Sequence, residues 1–144
     1  MGTAHLLPVI VIGVAATDQF TKAGSVALQC GPARCPARNT ELMLGLTGGA
    51  AWTVVALTLA GLGAWLAATA TVRRRGHVPP LVDGLIVGGV LGNLVDRVAL
   101  GYVRDFIPTP FNTVANVADL AVYAGLLGFV VIAVVRTARP DERG

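Results

Sequence analysis

Apolar residues fill this chain in four long blocks, separated by shorter stretches rich in Gly, Pro and charge. The blocks lie at about residues 4–22, 48–72, 81–100 and 116–135. Each approaches the ~20 apolar residues that a helix needs to cross a bilayer. The second carries no charge at all. The third is interrupted by Asp83, Asn93, Asp96 and Arg97, and Pro79 and Pro80 stand where its helix would begin, a position proline tolerates. Between the blocks come a turn-rich segment at 23–47, the run VRRRGHVPP, a loop at 101–115 and a polar tail, RTARPDERG. The pattern predicts an all-α membrane protein, a four-transmembrane-helix bundle forming one domain over residues 1–144.

Composition agrees: 54% of residues are hydrophobic, 13% are charged and the mean hydropathy is +0.70. Soluble domains carry about 25% charged residues. The net charge of +3 is small, and the cations do not gather on one face with aromatics between them, so nucleic acid is not expected as a partner. The N-terminal stretch has the length of a signal peptide but no basic leading region, which favours a retained first span. Cys30 and Cys35, in CGPARC, suit either a small disulfide or two free thiols, and their spacing is poor for zinc. Gln29 before Cys30 does not suit a lipidation box, where a small residue is wanted.

Four spans put both termini on one side. Arg73, Arg74, Arg75, Arg136, Arg139 and Arg143 then share a face that the positive-inside rule makes cytoplasmic. Lys22, Arg34, Arg38, Arg97 and Arg104 lie opposite, several of them beside a carboxylate. Asp18, Asp96, Asp105 and Asp119 converge on that outer face. His5 and His77 fall at the other face, which disfavours His-ligated zinc and Ser-His catalysis. Gly84, Gly88 and Gly92 form a four-residue stripe leading to Asp96, and small residues let helices approach closely in lipid.

An ionisable group inside an apolar span costs about 2.5–3.5 kcal/mol, so its default reading is functional. Asp105 sits in a polar loop, and Asp119 lies about one turn into the fourth helix. Brought together, two carboxylates cannot both ionise cheaply and share one proton. The ionised member can then take a proton from water while the other donates to a carbonyl, which is peptide hydrolysis without a metal. Asp119 as a helix cap and Asp105 as a solvated loop residue form the plainer alternative. Asn116, three positions before Asp119, suits a donor to the pair, an N-cap, or both. Asp18 and Lys22 are spaced as a helical ion pair. Asp96 beside Arg97 reads likewise as a pair, with Arg97 able to reach other carboxylates. Asp83 reads as a cap of the third helix. A carrier of protons or cations would need polar groups along the full depth of the membrane, which the second span lacks.

These pieces together resemble the lipoprotein signal peptidases (signal peptidase II), small four-span aspartic proteases. The resemblance rests on DQFTK at 18–22, GGVLGNLVDR at 88–97, VRDFI at 103–107 and NVAD at 116–119, in the family's order. It implies that Asp105 and Asp119 are catalytic and that Asp18, Lys22, Asn93, Asp96, Arg97 and Asn116 form the supporting polar network. It implies no cofactor and no metal; a magnesium or calcium ion at the Asp cluster would show as chelator sensitivity. The implied substrate is a bacterial prolipoprotein, cut on the amino side of its diacylglyceryl cysteine at the outer face of the cell membrane. Membrane lipids are the other expected partners, and a monomer is the expected state. The family also folds its outer segments into a small β-element, on which composition here is silent. One segment departs from the family. Where an Asn-x-Gly-x-Ala-Phe type segment is usual, this chain reads RNTELMLGLTGG, with Asn39 standing for the Asn. That change at 39–50 motivates a second reading, a relative that binds lipidated or signal-peptide helices without cleaving them.

Overall fold

The computed structural model of the chain describes residues 5–29, 36–40, 51–74, 78–111 and 113–138. Four helices dominate: α1 (Leu6–Gln29), α2 (Ala51–Arg74), α3 (Pro80–Leu100) and α4 (Val117–Ala138). Three of them are long and apolar enough to cross a membrane, over Leu6–Ala27, Trp52–Ala70 and Val117–Ala138. The other, α3, is 21 residues long. At 1.5 Å per residue that is about 30 Å, the thickness of a hydrocarbon core. It carries Asp83, Asp96 and Arg97, and it sits centrally, packed against both α1 and α4 and more lightly against α2.

The glycine stripe of α3 faces α1. A Cβ added to Gly84 would meet Ile10, one added to Gly88 would meet Val14 and the Val11 carbonyl, and one added to Gly92 would lie 2.8 Å from Asp18 Oδ2. The next step of the same register sets Asp96 against Lys22 at 3.4 Å. Partners on the two helices therefore advance together, and α1 and α3 run in the same sense. α4 runs against them, since its first turn (Ala118) lies by Gly89 while Gly125 lies by Val82 and Ile86. The C-terminal ends of α1 and α3 and the N-terminal end of α4 thus meet at one end of the bundle.

Two expectations need correction. The first helix does not stop near Lys22 but continues to Gln29. The charge did not have to end it, because the ammonium is neutralised inside the bundle, and AGSVALQ contains no proline. Nor is Asp83 the cap of α3. The N-cap position is Pro79, with no side-chain cap bond. Asp83 is 1% exposed and accepts from Trp65 Nε1 at 3.1 Å, tying α3 to α2 at the bundle's other end. There Trp65 packs edge-on against Phe129, with ring centroids 5.0 Å apart, over a core of Val78, Val82 and Ile86.

Four short strands cover the end where the helices converge. β1 (Ala37–Asn39) pairs antiparallel with β2 (Val103–Asp105), and β3 (Ile107–Pro108) pairs antiparallel with β4 (Val114–Ala115). Gly101 makes the reversal possible. It closes α3 in the left-handed conformation (φ 79°), with its N–H on the Arg97 carbonyl at 3.1 Å. β2 is thereby folded back over the last turn of its own helix. Cys30, Cys35, Glu41 to Ala50, Arg75, His77 and Arg139 onward lie outside the described residues, and with them the disulfide reading and most of the 39–50 segment.

Candidate active site

Asn116 opens α4 and organises the site. Its Oδ1 accepts the Asp119 N–H at 2.9 Å, while Asp119 Oδ2 accepts the Asn116 N–H at 3.1 Å. This is a reciprocal capping box with Asp in the usual Glu position. The capping role of Asp119 is thus real, and it holds the carboxylate at the mouth of the helix. The other end of the Asn116 amide does a second job, since Nδ2 donates to Asp105 Oδ1 at 2.6 Å and to Asn93 Oδ1 at 3.0 Å. One fully buried side chain therefore bonds to Asp105 and, through the cap, to Asp119.

Each oxygen of the two carboxylates accepts at least one donor among the described residues. Asp105 takes Asn116 on Oδ1 and Asn39 Nδ2 on Oδ2 at 2.9 Å. Asp119 takes Asn93 Nδ2 on Oδ1 at 2.8 Å and the Asn116 N–H on Oδ2. Asp105 is 2% exposed, so it is not a solvated loop residue, whereas Asp119 is half-buried. Burial pushes the Asp105 carboxyl above its ordinary range, and the Asp119 charge pushes the same way. The amides of Asn39 and Asn116 and the charge of Lys22 pull against them.

Beneath this pair lies a second layer. Lys22, fully buried, has three ammonium hydrogens and three acceptors: Asp18 Oδ2 at 2.7 Å, Asn93 Oδ1 at 2.8 Å and Asp96 Oδ2 at 3.4 Å. Asp18 also accepts the Ala118 N–H at 2.9 Å, which fixes α1 to the first turn of α4. The i, i+4 pair is therefore present, but it belongs to a buried network and not to a simple interface bridge.

Asp96 reaches beyond its neighbour Arg97. Adjacent helix positions point in different directions, and Asp96 meets Arg104 and Lys22. Arg97 lies within electrostatic reach of Asp119, Asp105 and Asp96. All of Asp18, Lys22, Asn39, Asn93, Asp96, Arg97, Asp105, Asn116 and Asp119 gather at this end of the bundle. Sequence reasoning left two members unassigned. Arg104 binds Asp96 through Nη2 at 2.7 Å and Nε at 3.2 Å, and Gln19 donates to Asp96 Oδ1 at 3.1 Å while accepting from Arg104 Nη2 at 2.9 Å. Gln19 lies in DQFTK between the charged Asp18 and Lys22, and Arg104 lies next to Asp105, so neither carries a local signal of its own. Among the described residues no group of three His, Cys, Asp or Glu side chains is arranged to hold a metal.

Membrane-length apolar helices around a charged central one, closed at one end by an acidic centre of hydrogen-bonded amides and carboxylates, define a helical membrane protein with a buried polar site. Comparison with known proteins gives the same class in finer detail. The family model for signal peptidase (SPase) II matches residues 10–135. The lipoprotein signal peptidase of Methylobacterium sp. (strain 4-46) is 37% identical over 150 residues, covering 86% of each chain. That of Methylobacterium radiotolerans is 42% identical over 98 residues, covering 63% of this chain and 54% of that protein. The chain belongs to the signal peptidase II family, whose members are bacterial membrane proteases. A solved bacterial membrane enzyme superposes with a TM-score of 0.74 at 21% identity, over 97% of this chain and 94% of its own. A second gives 0.66 at 20% identity, over 88% and 91%. At these identities the likeness is one of fold.

Proposed function

We propose that the protein is an aspartyl endopeptidase that removes the signal peptide from diacylglyceryl-modified prolipoproteins, with Asp105 and Asp119 as its catalytic pair. The observation that carries the proposal is the Asn116 bridge, which bonds to both carboxylates from one buried residue. Charge supports it. In the buried network the carboxylates of Asp18, Asp96, Asp105 and Asp119 outnumber the cations Lys22, Arg97 and Arg104 by one. A single proton on the Asp105–Asp119 pair makes the network neutral, which is the condition low dielectric favours. Titration then belongs to the pair as a unit.

The chemistry follows from that one proton. The ionised carboxylate takes a proton from water as the oxygen attacks the scissile carbonyl, and the protonated one gives its proton to the carbonyl oxygen. Collapse of the resulting diol breaks the C–N bond, sends a proton to the leaving amine of the lipidated cysteine and returns the pair to its starting state. Asn39, Asn93 and Asn116 hold the carboxylates in place, while Asp18, Lys22, Asp96 and Arg97 brace the helices behind them. We place the protein as four spans and a single unit in the cell membrane, a monomer with both termini cytoplasmic. The site then faces outward, at the depth where the lipid chains of the substrate anchor its cysteine.

The test is incubation of the purified protein in detergent with a diacylated prolipoprotein, read as a gel shift. Wild-type protein should cleave, and Asp105→Asn and Asp119→Asn should each be inert while remaining folded. Near-normal turnover by either variant would overturn the assignment.

A further inference from the structure

We infer that Arg104 is a positioning residue for the aspartate that follows it, locking the strand that carries Asp105 onto the ends of α1 and α3. The inference rests on the function proposed above. β2 alternates, so Val103 and Asp105 face the site with Asn39, while Arg104 and its cross-strand partner Arg38 point to the other face. Two cations directly opposite each other destabilise a strand pair, and here each is drawn away. Arg38 stacks over the Tyr102 ring at 5.0 Å. Arg104 turns back to α3, where its backbone N–H and its Nε both reach Asp96 Oδ2, at 3.0 and 3.2 Å, and its Nη2 reaches Asp96 Oδ1 at 2.7 Å. The same Nη2 donates to Gln19 Oε1 of α1 at 2.9 Å.

A planar guanidinium fork meeting both oxygens of a buried carboxylate fixes direction as well as distance. Asp96 is 1% exposed and braced from behind by Lys22, so the fork is anchored to a buried, ion-paired position of α3. The Asp96 carboxylate holds the guanidinium above its ordinary range, so the contact persists at every working pH. Asp105 is one peptide unit away. Its own contacts, to Asn39 on β1 and Asn116 on α4, come from elements that need β2 held at the right height.

The test uses the full chain in detergent with a diacylated prolipoprotein, and the variants Arg104→Gln, Arg104→Lys and Asp105→Asn. Arg104→Gln should lower kcat by roughly ten- to a hundredfold, as small misplacements of reacting groups do, with KM changed less than about twofold. Arg104→Lys should recover part of the loss, since an ammonium keeps the charge but cannot span both oxygens and Gln19. The acid limb of the kcat–pH profile should move to higher pH in Arg104→Gln. An Asp105 that drifts from Asn39 and Asn116 loses donors that favour its ionised form, while burial and Asp119 on α4 still oppose ionisation and Lys22 on α1 and Arg97 on α3 still face it. Wild-type kcat with an unmoved pH limb in folded Arg104→Gln overturns the inference. If that variant does not fold, Arg104→Lys decides: lowered kcat at unchanged KM supports positioning, and wild-type kinetics refute it. An inert wild type, or an active Asp105→Asn, sinks the parent reading. Active wild type, inert Asp105→Asn and unaffected Arg104 variants sink this inference alone.

Discussion

Asn116 donates its side-chain amide to Asp105 at 2.6 Å while its own backbone N–H is held by Asp119 at 3.1 Å. The helix cap and the carboxylate pairing are thus one structure. Asn116→Leu should remove both amide bonds and the cap oxygen, leaving Asp105 with Asn39 alone among its amide donors. Loss of one oriented donor at a reacting centre costs about 10²–10³-fold, and initial rates of precursor cleavage should fall accordingly. Asn116→Asp keeps the cap but adds a carboxylate and no donor, so it should be no better. A rate within about threefold of wild type in either variant would remove Asn116 from the mechanism.

The raised pKa of Asp105 has a sign that unfolding can read. Its ordinary value is about 3.9, and in the folded chain burial moves it up. Between the two values the native state holds a proton that the unfolded chain has lost, so stability falls as pH rises through that window. Thermal unfolding in detergent, followed from about pH 4 upward, should show this decline in wild type and a flatter profile in Asp105→Asn. The variant should also be the more stable of the two at neutral pH, while being inert. A steeper decline in the variant would contradict the assigned direction.

What could be read in the sequence, and what could not, follows the reach of each interaction. The helices were legible because apolar runs of membrane length have few alternatives, and the α3 glycine stripe told of a close partner. Asp18 and Lys22 were legible as a pair because i, i+4 spacing is local. The partner of Asp96 was not, since it depends on Gly101 reversing the chain so that Arg104 returns to the helix it has just left. The pairing of 37–39 with 103–105 joins segments far apart in the chain, and nothing in three residues of each announces the other. The full length of α1 is hidden in the sequence for a related reason, because Lys22 looks like an end only until its acceptors on α3 are in place.

Lys22 should be the least replaceable cation. Its three hydrogens have three acceptors, and its removal strands Asp18 with an uncompensated buried charge. Breaking one side of a buried pair costs about 3–5 kcal/mol. Lys22→Met should therefore lose folded protein, measured as monodisperse yield from detergent and as unfolding midpoint. Lys22→Arg should also fail, because a planar fork does not fit a site built for a compact ammonium. Asp18→Asn combined with Lys22→Met should recover part of the loss.

Two glycine-to-alanine changes separate packing from propensity. At Gly92 an added Cβ would stand 2.8 Å from Asp18 Oδ2 and 3.3 Å from the Ala118 Cβ, so α1 or α4 must move. Gly92→Ala should lower both the unfolding midpoint and the cleavage rate. Gly61 on α2 has nothing within 4 Å of the same atom. Gly61→Ala should be neutral or stabilising by up to about 1 kcal/mol, as helix propensity alone dictates. Equal effects at the two sites would show that the α1–α3 contact is looser than the distances say.

The Trp65–Asp83 bond provides the complementary case, a buried carboxylate remote from the site. Trp65 Nε1 donates to Asp83 at 3.1 Å, and the ring meets Phe129 edge-on over Val78, Val82 and Ile86. α2 packs on α3 more lightly than α1 and α4 do, so this contact is a main tether for it. Trp65→Phe keeps an aromatic body but withdraws the donor, at a cost of about 1–3 kcal/mol for a buried acceptor losing a partner. The unfolding midpoint should drop. The rate of precursor cleavage, measured below that midpoint, should stay within about twofold of wild type, because the Asp105–Asp119 pair lies at the opposite end of the bundle. Asp83→Asn, which retains an acceptor oxygen for the indole, should be milder still. If Trp65→Phe instead abolished cleavage at full stability, the two ends of the bundle would be coupled, and α2 would have to be counted among the elements that position the site.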